Sequence, residues 1–169
     1  MKKIQKLILL IICFSLFNFA TCRYSFKDVS IPTEIKNFRV QQLTNKAQYI
    51  NPQLAPNLTE KLKQKIINTT RLRSINEDDA HYDITGYISQ YNTSTVNITN
   101  GESGTNRLTV TFHLVFKNTL DDKKNFEADV SRNEDFAATK SLQDAENEIT
   151  ERLVKNLADE IFNKIFSNW

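Results

Sequence analysis

The stretch Leu108 to Phe116, reading Leu-Thr-Val-Thr-Phe-His-Leu-Val-Phe, decides the fold. Leu108, Val110, Phe112, Leu114 and Phe116 fall on every second position, and Thr109, Thr111, His113 and Val115 fill the gaps. A period of two built from β-branched and aromatic residues predicts a strand. Its first set makes a wholly apolar face, which other elements must cover. The second set makes a wetter face, a candidate docking surface.

Two amphipathic patterns supply the cover. In the first, Leu54, Leu58, Leu62 and Ile66 recur every four residues, joined by Ile67, with Lys61, Lys63 and Lys65 off the stripe. Asn51-Pro52 predicts its start, a capping side chain followed by proline, and the helix should run to about Thr69. Asn57 with Glu60 offers an alternative start. In the second, Ile149, Leu153, Leu157, Ile161 and Ile165 form one row, and Val154, Ala158, Phe162 and Phe166 the next. Ser141 precedes it as a cap, with Asp144 in the first turn.

Three further strands complete the pattern. Ile35, Phe38, Val40 and Leu43 mark a short strand, with Phe38 and Val40 on one face, opposite Arg39 and Gln41. From Asp83 to Tyr91, Ile84, Gly86 and Ile88 alternate with Thr85, Tyr87 and Ser89. Gly86 leaves room for a covering side chain or marks a bulge. Phe126, Ala128 and Val130 alternate with Glu127, Asp129 and Ser131. Asn45–Asn51 and Arg71–Ala80 are polar connections, and Asn92–Asn106 reads as a long hairpin loop with frayed strand ends. Asp121-Asp122 signals a turn. The expected architecture is α+β, order β-α-β-β-β-α. It has a four-stranded, mostly antiparallel sheet with two helices packed on one face.

The first 21 residues stand outside this pattern. Lys2, Lys3 and Lys6 precede an apolar run from Leu7 to Phe19, too short to span a bilayer comfortably, and small residues lead to Cys22. This predicts an export signal over residues 1–21, against the alternative of an uncleaved anchor. The remaining 148 residues, 22–169, fit one domain. The whole chain carries a net charge of +2, and removing three signal lysines takes it to −1. Nucleic-acid binding therefore has no support. Cys13 lies in the signal, so Cys22 is the single cysteine beyond it and no internal disulfide is expected. Cys22 stands where a bacterial lipoprotein carries acyl chains, which would anchor it stably; the alternative is a chance cysteine after an ordinary signal cleavage.

Catalytic and metal signals are absent from the pattern. His81 and His113 are the only histidines and have no cysteine cluster beside them. The glycines at 86, 101 and 104 stand apart and make no phosphate loop. No serine sits on a nucleophile elbow. No enzyme and no cofactor is predicted. Arg71, Arg73, Lys123 and Lys124 cluster in loops and could meet an anionic ligand; the alternative is solvated loop charge. Whether they converge on one end of the sheet depends on where the first helix exits.

Several pieces in order carry a family resemblance. They include Cys22 with Tyr24-Ser25-Phe26, Ile31-Pro32, Phe38-Val40-Gln41, Asn51-Pro52, Leu58-Thr59-Glu60-Lys61-Leu62 and Thr70-Arg71-Leu72. Gly86 with Ile88 and Tyr91, Asn106-Arg107-Leu108-Thr109-Val110, Asp135-Phe136 and Asn168-Trp169 continue the series. The chain resembles the LptE family of lipopolysaccharide-assembly lipoproteins in its Bacteroidota form, over essentially all of residues 22–169. It departs from that pattern at Thr21, where a smaller residue is usual, and at Arg23.

The resemblance implies a protein at the inner leaflet of the outer membrane, facing the periplasm. It implies a plug in an LptD β-barrel, with lipopolysaccharide as cargo and a lipid on Cys22. No lipopolysaccharide-contact residue is carried over from the family. The alternative from another class is a periplasm-facing lipoprotein that regulates an envelope enzyme such as a peptidoglycan synthase, since fold alone does not settle function.

Overall fold

The computed structural model describes residues 31–99 and 102–167. The expected export signal, Cys22 and the terminal Asn168-Trp169 lie outside the described residues. The elements in chain order are β1 (Asn37–Val40), β2 (Thr44–Asn45), α1 (Leu54–Thr69), β3 (Arg73–Ser74), β4 (Tyr82–Thr99), β5 (Glu102–Asn118) and β6 (Phe126–Ala137). A short 3-10 helix, Asp122–Lys124, precedes β6, and α2 (Leu142–Phe166) follows it.

The sheet has six strands and is mixed, which corrects the expected four. β4, β5 and β6 are antiparallel, from Tyr82↔Asn118 and Phe116↔Phe126 outward. β1 and β2 lie end to end along the free edge of β4, both parallel to it, through Phe38↔Tyr82 and Thr44↔Tyr87. β3 adds outside β1, again parallel, through Asn37↔Arg73. Parallel neighbours need a crossover of a dozen or more residues, and α1 supplies it with 16. β2 and β3 are two residues each, too short to leave a period-two trace, and Asn45 and Arg73–Ser74 fall within the polar connections that the sequence predicts.

The second correction is Asn92–Asn106. It is not a loop: β4 runs through Thr99 and β5 begins at Glu102, making a hairpin of 18 and 17 residues. Asn, Ser and Thr mark turns because their side chains compete for backbone groups. Here the ladder to the partner strand satisfies those groups, from Asn92↔Thr109 to Thr95↔Asn106.

A bulge keeps the faces in order. Ile88 pairs with Phe112, Gln90 with Thr111, and Ser89 is the extra residue. Its hydroxyl donates to the Thr111 carbonyl at 3.3 Å. The bulge turns Tyr91 toward the helices, where strict alternation would have placed Gln90.

Leu108, Val110, Phe112, Leu114 and Phe116 are all buried, as the opening pattern requires. Both rows of α2 join them in one core with Leu54, Leu58, Leu62 and Ile66 of α1. Ile67 corrects the expected stripe: one position on from Ile66, it turns away from the sheet and is exposed. Full burial of such a side chain contributes about 1.5–3 kcal/mol, so these rows dominate the stability. At Gly86 the covering side chain is Phe112. A Cβ there would lie 2.5 Å from Phe112 Cζ and 2.2 Å from the His113 carbonyl oxygen.

The caps differ. Ser141 Oγ accepts from the Asp144 amide at 3.2 Å, as expected. Asn51 instead makes a turn, its side-chain oxygen accepting from the Gln53 amide at 3.0 Å, and α1 starts three residues on at Leu54. Pro56 then falls in the first turn, where its missing N–H costs nothing.

Candidate functional site

The sequence points to two regions whose polar side chains could meet a partner: one end of the sheet, and its face away from the helices.

At the end, β1, β3 and β4 begin and β5 finishes. Arg71 precedes β3 and Arg73 opens it, while Lys123 and Lys124 occupy the turn after β5. All four residues therefore sit at one end of the sheet. They do not form one pocket: strands about 4.8 Å apart put Arg73 roughly 15–20 Å from the lysine turn. Arg71 has a structural task. Its Nη1 donates to the Ile35 carbonyl at 2.9 Å, and its Nη2 to the carbonyls of Ile31 and Pro32 at 2.9 and 2.6 Å. The guanidinium fork thus holds the chain entering β1. Arg73 is exposed, as are Lys123 and Lys124. The lysine turn is fixed by Asp121, whose carboxylate accepts from the Lys123 amide, and by Asn125, which accepts from the Asn118 amide. Asp121 and Asp122 temper the positive charge there.

The open face is built by the other half of each strand's alternation. β1 gives Arg39, β4 gives Asp83, Thr85 and Tyr87, β5 gives the Thr109–Val115 set, and β6 gives Glu127, Asp129 and Ser131. Their side chains form rows across the strands. In one, Arg39 meets Asp83 through two bonds of 2.9 and 3.0 Å, and Gln41 donates to the same carboxylate at 2.8 Å. Asp78, on the preceding loop, closes on Arg39 from outside. These bonds, Asp83 first, hold the guanidinium more firmly protonated than usual.

In the next row the Lys46 ammonium lies 4.1 Å from the Tyr87 ring centre, and Tyr87 packs on His113 with centroids 5.1 Å apart. His113 Nδ1 lies 2.8 Å from Asp129 and its Nε2 3.3 Å from Glu127. Those carboxylates, Asp129 foremost, raise the imidazole pKa above its ordinary value against the lowering effect of partial burial. Further along, Thr111 bonds Ser131 at 2.9 Å, and Arg107 forks onto Asp135 at 2.7 and 2.9 Å. Val115 adds an aliphatic side chain to this face.

The wet face was legible as a row of residues, but its ion pairs were not. Arg39 and Asp83 are 44 positions apart and meet because β1 runs parallel to β4. Lys46 reaches Tyr87 because β2 docks there. Neither strand pairing leaves a signal in the sequence.

This arrangement offers a partner a hydrogen-bonding, water-compatible surface. Among the described residues no group of three or more His, Cys, Asp or Glu side chains is placed to hold a metal ion. Among the same residues no helix is long and apolar enough to cross a membrane.

Comparison with known proteins bears on this arrangement. A minor lipoprotein from Acinetobacter baumannii superposes with a TM-score of 0.55 at 15% identity, over 80% of this chain and 95% of that one. A hypothetical protein from Chlamydia trachomatis gives 0.53 at 8% identity, covering 79% of this chain and 99% of the other. An uncharacterized lipoprotein B from Nitrosomonas europaea gives 0.51 at 14%, covering 79% and 84%. At such identities the likeness is one of fold. A search of curated protein sequences returns no match. The family model described as "LptE: Lipopolysaccharide-assembly" matches residues 35–165, from the chain leading into β1 through nearly the end of α2. The chain belongs to the LptE family of lipopolysaccharide-assembly proteins.

Proposed function

We propose that the domain is the polar plug of an outer-membrane β-barrel of the LptD type, acting in lipopolysaccharide assembly. In this reading residues 1–21 are removed as an export signal. An acylated Cys22 then tethers the single domain of residues 22–169 to the periplasmic face of the outer membrane. The observation that carries the reading is the open sheet face. The lumen of an outer-membrane barrel is polar and wet, and a plug must present a surface that stays hydrogen-bonded there. The face made by Arg39, Asp83, Tyr87, His113 and Thr111 satisfies its own polar groups and offers further donors and acceptors. Among the described residues, the exposed large apolar side chains, Tyr49, Ile50, Ile67 and Leu120, do not lie on it.

The anionic headgroup of a passing glycolipid would meet Arg73, Lys123 and Lys124 at the sheet end. Arg71, engaged by three carbonyls, holds the chain entering β1 rather than reaching outward.

Photo-crosslinking in living cells tests the reading. A crosslinking residue at Thr85 or Thr109, on the open face, should trap a large barrel protein. One at Lys155, on the exposed side of α2, is the comparison position. Recovery of the protein from detergent-solubilised outer membranes with no barrel attached, and no open-face crosslink, would remove the plug from the account. Mass spectrometry of the mature N-terminus checks the tether: a Cys22 without acyl mass ends that part.

A further inference from the structure

On the opposite side of the molecule from the open face, α1 and α2 enclose a groove of about 630 Å³. The helices run side by side in the same direction. The Lys65 ammonium sits 2.9 Å from Asp159 and over the Phe162 ring, so the helices close together toward their C-terminal ends. Toward their N-terminal ends the space between them is open, and Tyr49, Asn51 and Pro52 form its end wall. The volume lies within the roughly 300–1,000 Å³ of small-molecule sites.

Its chemistry is unusual for a surface furrow. Asn57 and Gln64 line it from α1; Gln143, Asn147 and Thr150 line it from α2, on one stripe of that helix. An amide donates and accepts at adjacent atoms, which matches the vicinal hydroxyls of a sugar. Asn57, Gln143 and Asn147 are exposed, and among the described residues their side chains make no hydrogen bond. At the end wall Tyr49 stacks on Tyr91 with centroids 5.2 Å apart, and it remains 42% exposed. Glu146 fixes the pair by accepting from both hydroxyls. A rigid ring beside free amides is a platform for the C–H face of a pyranose. The charges exclude an anion: Glu60, Glu146 and Glu151 face the groove against Lys61 alone.

We infer that the groove between α1 and α2 is a binding site for a neutral oligosaccharide, stacked on Tyr49 and hydrogen-bonded by Asn57 and Asn147. The site is separate from the open face and from the basic sheet end, so it does not depend on the barrel reading.

Saturation-transfer NMR on the full chain in detergent tests it, with maltotriose and N,N′,N″-triacetylchitotriose as probes at about 5 mM, suited to the millimolar affinity of a shallow site. Transfer to sugar ring protons is expected with at least one probe. Tyr49→Ala should reduce it at least fivefold and Asn147→Ala at least twofold, with unchanged circular dichroism. Tyr49→Phe keeps the ring and should retain most of the signal, which separates stacking from loss of the Glu146 bond. Absence of transfer with both probes overturns the proposal, and so does transfer that survives the Tyr49→Ala, Asn147→Ala double variant.

Discussion

The two faces of β5 have opposite duties, although their residues alternate along one strand. Leu108, Val110, Phe112, Leu114 and Phe116 are buried under the helices. Thr109, His113 and Val115 remain partly open on the other side, and Thr111 is closed off by its neighbours on the strands. The covered face gains from water exclusion, which is non-directional and large. The open face gains from paired hydrogen bonds and charges, each small when solvent competes. The covered face therefore fixes the fold, while the open face can be rewritten for a partner at little cost to stability. Substitutions on each side can break this contrast.

The largest effects belong to the covered face. Leu58 is fully buried on α1, and Leu58→Asp would bury an unpaired carboxylate. Loss of cooperative unfolding and recovery only in the insoluble fraction are expected. Phe112→Ala removes the ring that packs over Gly86 and should cost about 3–5 kcal/mol in urea unfolding. If Phe112→Ala proves nearly neutral, the covered face does not carry the fold. Gly86→Ala attacks the same contact from the other side. The new methyl meets both a ring and a backbone oxygen, and the oxygen cannot step aside, so a loss of about 1–3 kcal/mol is expected. In Gly86→Ala combined with Phe112→Leu the loss should be smaller than the sum, because only the carbonyl clash remains.

The same contrast explains what the sequence could disclose. Burial repeats at the period of its element, so the rows of β5, α1 and α2 were legible residue by residue. Ser141 was legible as a cap because its chemistry is local. What escaped was non-local. β2 and β3 are two residues long and exist because β1 and β4 offer them edges. The long hairpin escaped because Asn, Ser and Thr prefer turns locally, and the ladder of β4 with β5 overrides that preference. The four basic residues were legible as a loop cluster, but the carbonyl clamp of Arg71 depends on a chain segment some 40 positions away.

On the open face the effects shrink. Arg39→Ala leaves Asp83 with Gln41 as its remaining side-chain donor and should cost about 1–2 kcal/mol. Arg39→Lys should recover only part, because an ammonium cannot fork onto the carboxylate as the guanidinium does. A loss above about 4 kcal/mol would mean that β1 is held chiefly by this pair rather than by Phe38 and Val40.

The smallest effect is the most diagnostic of the open face. His113 has a folded pKa raised by Asp129 and then Glu127. A raised pKa means that the folded state holds the proton more tightly than the unfolded chain. The contribution is therefore fully present below the unfolded value of about 6.5, and it is lost as pH rises through the folded value. With both partner carboxylates 65% exposed, solvent screening keeps this contribution small. Urea midpoints of the wild type between pH 5.5 and 8.5, compared with His113→Gln, should converge as pH rises. The wild type should gain only on the acid side. The opposite slope would mean that the two carboxylates do not hold the histidine charged, and that the open face is wetter than its bonds imply. Asp129→Asn should remove most of the difference and Glu127→Gln less, because Asp129 makes the shorter bond.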